Sequence, residues 1–448
     1  MAENLADLTD ALLAAAKRAG ADGADAIAVD GTSLSIDVRE GALEHAERSE
    51  GIEIGLRVLI GQQQACVSSS DTNPAVISAM AERAVAMAKE APDDPSIALA
   101  GADQMAESWD IAAFELADPA AEPAPDALQD DAARAEAAAL GVKGVSQVQS
   151  ASAAYGRRRI HLATTNGFSG GYERTDRALS CVAITGTGVE MERDYFGDMR
   201  IFQSDLLSPE EIGRTAGERT VARSGARKPP TGAFPVVFDE RVSSSLVGHV
   251  LSAVNGAAIV RGASWLRDAM DTQILPSGMS IFEDPHRPRA TGSKPFDGEG
   301  LPTAPRTIIE DGILKSWTLD IASARKLGLR STANAARGTS SPPSPSNSNI
   351  ALTQGEIGQE ALLKEMGTGL LVTSMIGASI NPNTGDYSRG ASGFWVERGE
   401  IQYPVNECTI AGNLPQMLLT LRAANDARTH LSRVVPSLLV EGLTLAGE

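Results

Sequence analysis

Cysteine is scarce in this chain and poorly placed for metal or disulfide chemistry. Among 448 residues there are three, Cys66, Cys181 and Cys408. They lie far apart, are odd in number and form no CxxC pair, so neither a disulfide framework nor a thiolate zinc site is indicated. Free thiols buried in a reducing compartment are expected instead. Long apolar runs are also missing. The longest, Gly369–Ile380, is too short to span a bilayer, and no membrane association is expected. Positive charge is sparse: the net charge is −19, and the basic clusters Arg157-Arg158-Arg159 and Arg227-Lys228 are short. An acidic chain repels nucleic-acid phosphates, which argues against direct DNA or RNA contact. No G-x-x-x-x-G-K-[ST] run exists, which excludes a P-loop. The histidines His45, His161, His249, His286 and His430 show no local pairing with Ser or Cys that suggests a triad.

What the chain does have is apolar residues, 42% of the total, enough for more than one core. Leu5, Leu8, Leu12 and Ala16 recur at helical spacing up to Gly20. Acids stand where a signal peptide needs bases, and a cytoplasmic location is expected. Strand-like alternation follows at Ile27/Val29, at Leu34/Ile36/Val38, and strictly from Ile52 to Ile60. A helix opens at Pro74 with Ile77, Met80, Ala84 and Met87 on one face. The Ala/Pro/acid-rich stretch 114–125 reads as an extended connection.

The same order then begins again. An Ala-rich helix covers 127–140, and strands fall near 145–154, 159–164, 170–177 and 179–190. A capped helix starts at Ser208-Pro209-Glu210-Glu211. Residues 1–228 therefore read as two related α+β units, about 1–113 and 126–228. Beyond a boundary at 224–232, residues 229–448 read as a β-rich C-terminal domain. It contains a strand at 234–238, a helix at 241–255, a low-complexity loop at 339–349 and a hairpin at Glu397-Arg398-Gly399-Glu400. The expected fold class is α+β.

The stretch Thr384-Gly385-Asp386-Tyr387-Ser388-Arg389-Gly390 continues through Phe394-Trp395-Val396-Glu397 to Thr409-Ile410-Ala411-Gly412-Asn413. It reads as a polar, glycine-permissive loop held by sheet, the kind of place where backbone meets ligand. Other short motifs are Phe296-Asp297-Gly298-Glu299-Gly300, Asp311-Gly312-Ile313-Leu314-Lys315, Ala324-Arg325-Lys326-Leu327-Gly328 and Ser331-Thr332-Ala333-Asn334-Ala335-Ala336-Arg337. In order and spacing they resemble the TldD/PmbA family, bacterial and archaeal proteins associated with a zinc peptidase and once called modulators of DNA gyrase. The resemblance covers essentially the whole chain.

Peptidase members of that family carry an H-E-x-x-x-H helix and a Cys ligand near the C-terminus. Two imidazoles on one helical face hold the metal, and the carboxylate deprotonates its water. Anchored on Arg261-Gly262-Ala263-Ser264, the motif positions fall on Val247, Gly248 and Ser252, none of which can do that work. His249 is a lone helical histidine, and the tail 434–442 has no Cys. The resemblance is therefore to the PmbA/TldE-like branch, without the zinc motif. It implies a subunit that binds no metal and works with a zinc-bearing TldD-type partner on unfolded or extended peptides, closing part of a substrate chamber. Asp386, Tyr387, Ser388, Arg389 and Gly390 are the candidate substrate- or partner-binding residues. Arg389 could hold a carboxylate or brace Asp386. A self-sufficient metallopeptidase and a non-enzymatic peptide-binding or regulatory protein are the alternatives. Asp297 and Glu299 could form a carboxylate pair, but the glycines around them point to a turn.

Overall fold

The structure, a computed structural model, describes residues 4–447. Residues 1–3 and 448, included in the domain spans expected above, lie outside the described residues. The chain is α+β with a β-rich C-terminal part. Helix α1 (Leu5–Ala19) is capped at its start by Asn4, whose side chain accepts from the Ala6 amide, and ends at Gly20 in the left-handed region with φ 95°. That φ suits glycine, which has no Cβ to clash. Three strands follow: β1 (Gly23–Arg39), β2 (Ala42–Ile60) and β3 (Gln63–Ser69). Helix α2 (Pro74–Glu90) completes the unit. The second unit repeats the order with α3 (Pro125–Leu140), β4 (Val145–Thr164), β5 (Ser169–Thr185), β6 (Glu192–Arg200) and α4 (Pro209–Val221).

The separate short strands expected from the alternation are fused in the structure. Residues 27–38 lie on the single strand β1, and 145–164 form the single strand β4. The gaps between those readings fell at 30–33 and at 155–158. Both segments stay in register because β1 and β4 pair along their length, from Asp25↔Thr164 to Val38↔Ala151. That pairing joins the two units into one six-stranded antiparallel sheet of order β3-β2-β1-β4-β5-β6.

All four helices lie on one face of this sheet. Side chains alternate between faces with period two. Ala24, Ala26 and Ala28 therefore pack with Leu12, Ile54, Leu56 and Ala84 beneath α1 and α2. Further along β1, Leu34, Ile36 and Val38 pack with Leu128, Leu179 and Ile212 beneath α3 and α4. The odd positions face the other way. There Ile27 and Leu162 meet Phe168 and Phe296, the last contributed by the C-terminal part.

The C-terminal part begins with β7 (Gly232–Phe238) and α5 (Glu240–Ala253). Further on come β8 (Gly369–Ile380), β9 (Asp386–Glu397), β10 (Glu400–Asn413) and β11 (Leu438–Ala446). Their order is β10-β9-β8-β7-β11, and β10 also pairs with β11, which closes the five strands into a ring. The largest core packs Leu246 and Val250 of α5, and Val254 at its C-terminal cap, against Val236, Phe238, Val372 and Leu438 of this ring. The β9–β10 turn is the tight hairpin expected, with Arg398 and Gly399 at φ 54° and 78° between the paired Glu397 and Glu400. Among the described residues, no helix is long and apolar enough to cross a membrane.

Candidate functional site

Helix α5 starts at Asp239, whose carboxylate accepts from the Arg241 amide at 3.1 Å. Val247 points into the core at 2% exposure, and Gly248 carries no side chain. The Ser252 hydroxyl donates to the Gly248 carbonyl at 2.9 Å. Val247 and Gly248 thus offer no donor atom, and the Ser252 hydroxyl is turned back onto its own helix. A Cβ placed on Gly248 would stand 3.2 Å from Nη1 of Arg433, so a guanidinium lies over this turn. His249 is half-buried and stacks edge-on against Tyr387, with ring centroids 5.8 Å apart at 76°. Its Nε2 is buried without a hydrogen bond. Burial, and secondarily the Arg389 charge, pushes its pKa below the ordinary histidine value. Among the described residues no three His, Cys, Asp or Glu side chains gather as a metal cluster.

The five site residues expected from sequence lie beside this helix, but not in a loop. Residues 386–390 open strand β9, paired with β8 on one side and β10 on the other. The glycines suggested loop freedom. Gly390 instead permits close packing: a Cβ there would stand 2.6 Å from the Ile376 side chain. The turn itself is at Gly385, φ 77°. Tyr387 is a core residue at 2% exposure. Its hydroxyl lies 3.5 Å from Met375 Sδ, and burial pushes its pKa up to about 12. Ser388 is half-buried in mid-sheet.

Asp386 accepts from Thr384 Oγ1 at 2.6 Å and from Asn413 Nδ2 at 3.1 Å. These bonds hold its pKa below the usual carboxylate range. Arg389 does not brace Asp386. Its Nε donates across the sheet to the Gly377 carbonyl at 2.8 Å. The structure therefore brings Tyr387 and Arg389 to the same helix turn as His249, and leaves Asp386 at the turn that closes β8 onto β9.

A second polar centre lies where the C-terminal part meets the sheet. Arg57 Nε donates to Asp25 Oδ2 at 2.6 Å, and Arg337 pairs with the same carboxylate. Nearby, Asp297 makes the expected turn, accepting from the Glu299 and Leu301 amides, and also takes the Ala335 amide at 3.0 Å. Glu299 accepts from the Ile321 amide at 2.9 Å. Burial, then the neighbouring Asp297 charge, raises the Glu299 pKa well above its ordinary value. Burial likewise lowers Arg337 to about 10. Sequence reading preferred a turn to a carboxylate pair for Asp297 and Glu299 and passed over Asp25 and Arg57. The available signal was charge at odd positions within strands whose even positions are apolar.

A six-stranded sheet with four helices on one face, joined to a closed five-stranded ring, is the scaffold on which these centres sit. Residues 24–88, 118–224 and 231–447 match, in that order, the first, central and C-terminal domains of PmbA/TldA metallopeptidases. The chain is 37% identical over 431 residues to the metalloprotease PmbA of Escherichia coli O157:H7, covering 95% of this chain and 93% of that one. A PmbA homologue of Haemophilus influenzae is 36% identical over 439 residues, covering 96% and 94%. A Bacteroides thetaiotaomicron structure, described as a proposed modulator of DNA gyrase, superposes with TM-score 0.91 at 25% identity and covers 99% and 98%. Thermococcus kodakarensis TldE shares the fold, with TM-score 0.86 at 19% identity over 98% and 100%. The chain belongs to the TldD/PmbA family of metallopeptidases.

Proposed function

We propose that this chain is the non-catalytic subunit of a two-subunit zinc peptidase, the metal and its activated water being supplied by a TldD-type partner. The observation that carries the reading is helix α5. At the positions where family peptidases place His, Glu and His, it has Val247, Gly248 and Ser252. The Arg433 guanidinium over Gly248 and the nearby Arg389 add positive charge, which disfavours a divalent cation. The lone imidazole, His249, is packed against Tyr387. These residues do not fit a zinc ion, which needs three or four converging N, S or O donors. The chain's role is then to position unfolded peptide and help close the chamber around the partner's metal, in the cytoplasm. Holding the peptide in place contributes to rate without any reacting group from this chain.

The test uses purified chain, a zinc-bearing TldD-type relative and an unfolded polypeptide. Chelator-sensitive cleavage is expected from the mixture and not from this chain alone. Chelator-sensitive cleavage by this chain alone would restore the self-sufficient metallopeptidase, the reading the relatives' name favours. Peptide binding with no cleavage in either case would leave a non-enzymatic binding protein.

A further inference from the structure

A cavity of about 370 Å³ lies between the start of α3, strands β4 and β5, and the chain that leads into α3. Small-molecule sites occupy this size range. Its apolar wall is made by Ala121, Pro123, Ala127 and Ile201. Tyr155 of β4 lines it at 7% exposure, and the Tyr155 hydroxyl has no hydrogen-bond partner among the described residues. A buried phenol normally finds one. Arg177, the one cation in the lining, is engaged on three sides. Its Nη2 donates to Asp131 Oδ2 at 3.1 Å, its Nη1 to the Ala154 carbonyl at 3.2 Å, and its Nε to Gln203. The carboxylates Asp118, Asp130 and Asp131 also line the cavity. Asp118 accepts from the Ala120 and Gln203 amides and makes no ion pair among the described residues. Asp131 Oδ1 has Arg134 at 3.7 Å, but that guanidinium donates its Nε and Nη2 hydrogens to Glu210. Of the other charges acting on Tyr155, Arg157 is held by Glu173, and Glu122 is held by Arg48. Burial keeps the Asp131 pKa above the usual carboxylate value, and Arg177 and Arg134 offset that only in part. The cavity therefore holds carboxylate charge that its own arginines do not cancel.

We infer that this cavity binds a small organic cation, a primary ammonium carried on an aromatic or branched aliphatic body. An ammonium brings three donors and no acceptor. The groups left open here, Asp131 Oδ1, the Asp118 carboxylate and the Tyr155 hydroxyl, all accept. The apolar body replaces water against Ala121, Pro123, Ala127 and Ile201. An anion of the same shape meets three carboxylates and finds the one lining guanidinium already engaged. Asp130, exposed at the rim, adds attraction for a cation approaching from solvent. The inference does not depend on the function proposed above, since the cavity shares no residue with α5 or β9.

The experiment is calorimetric titration of the full chain with 2-phenylethylammonium chloride. Saturable binding of a single molecule is expected. 3-Phenylpropionate has the same body with a carboxylate head, and methylammonium has the head without the body; neither should bind. Phe-Gly-Gly amide presents the same ammonium and ring at a peptide N-terminus, and its affinity relative to the free amine tells which source the cavity prefers. Asp131→Asn would also strip the buried Arg177 of its partner, so the variants are chosen elsewhere. Tyr155→Phe removes only the unpartnered hydroxyl and should weaken binding about three- to tenfold, the scale of one hydrogen bond. Ala127→Phe places a ring in the cavity from an exposed position on α3 and should abolish binding. Both variants should melt close to the parent, which separates loss of the site from loss of the fold. Failure of both the amine and the tripeptide amide to bind overturns the inference. So does equal binding of 3-phenylpropionate or methylammonium, and so does amine binding that survives Ala127→Phe unchanged.

Discussion

Gly55 of β2 lies directly against the carbonyl of Thr339. A Cβ at position 55 would stand 2.1 Å from that oxygen and 2.6 Å from the Thr339 Cα. The contact docks the 337–339 segment of the C-terminal part onto the sheet. It is supported by the Thr339 hydroxyl donating to Glu53 at 2.6 Å and by Arg337 reaching Asp25.

Gly55→Ala must therefore move backbone, not merely a flexible side chain. The expected loss is about 1–3 kcal/mol of stability, the range for overpacking a close contact. Gly51→Ala, with nothing within 4 Å of its Cβ, should stay within about 0.5 kcal/mol of the parent. Denaturant unfolding of both variants measures the difference. Equal midpoints would mean that the 337–339 segment does not hold the two parts together.

Glu299 should make stability depend on pH. Its folded-state pKa lies above the ordinary value of about 4.3, so the folded chain penalises the carboxylate form. That penalty is fully present above the folded pKa and fades as pH falls toward about 4.3. Glu299→Gln keeps an acceptor for the Ile321 amide and removes the charge. It should melt higher than the parent at pH 8, with the gap closing toward pH 4.5. A gap constant across that interval would place the cause in packing.

Asp198 gives the opposite sign. Burial alone would raise its pKa, but His430, Arg200 and the Leu207 amide outweigh burial and hold it at about 2. Its contribution is present above the unfolded value of about 3.9 and is lost as pH falls through about 2. Asp198→Asn should therefore destabilise the chain at pH 7 and differ little from the parent near pH 2. Melting curves across that range would show a constant difference if the charge were irrelevant.

Purified chain should hold no stoichiometric zinc, because α5 brings one imidazole and no second donor. Elemental analysis that finds one zinc per chain, lost in His249→Ala, would contradict this.

Arg389→Ala removes one hydrogen bond, to the Gly377 carbonyl. It should cost no more than about 0.5–1.5 kcal/mol while weakening partner-dependent peptide cleavage or assembly. A sharp fall in melting temperature would make Arg389 a brace between β8 and β9. Unchanged assembly and cleavage would remove it from the site.

Local periodicity was enough to read the longer helices, because a 3.6-residue repeat with a cap such as Ser208 is written within one segment, whereas short helices such as Ile321–Leu327 are too brief to show a repeat. Period-two alternation was enough to read the strands but not their length. Whether the chain breaks at Gly31 or Gly156 depends on a neighbour strand more than a hundred residues away. The zinc-motif positions could be read from sequence as lacking donors, since Val and Gly have none wherever they lie. The environment of the candidate residues could not be read. Asp386 to Gly390 have loop composition, yet partners on both sides make them a strand and bury Tyr387. Only the tertiary structure put Asp25, Arg57, Glu299 and Arg337 in one low-dielectric interface. Burial, not residue type, sets the cost of each charge there.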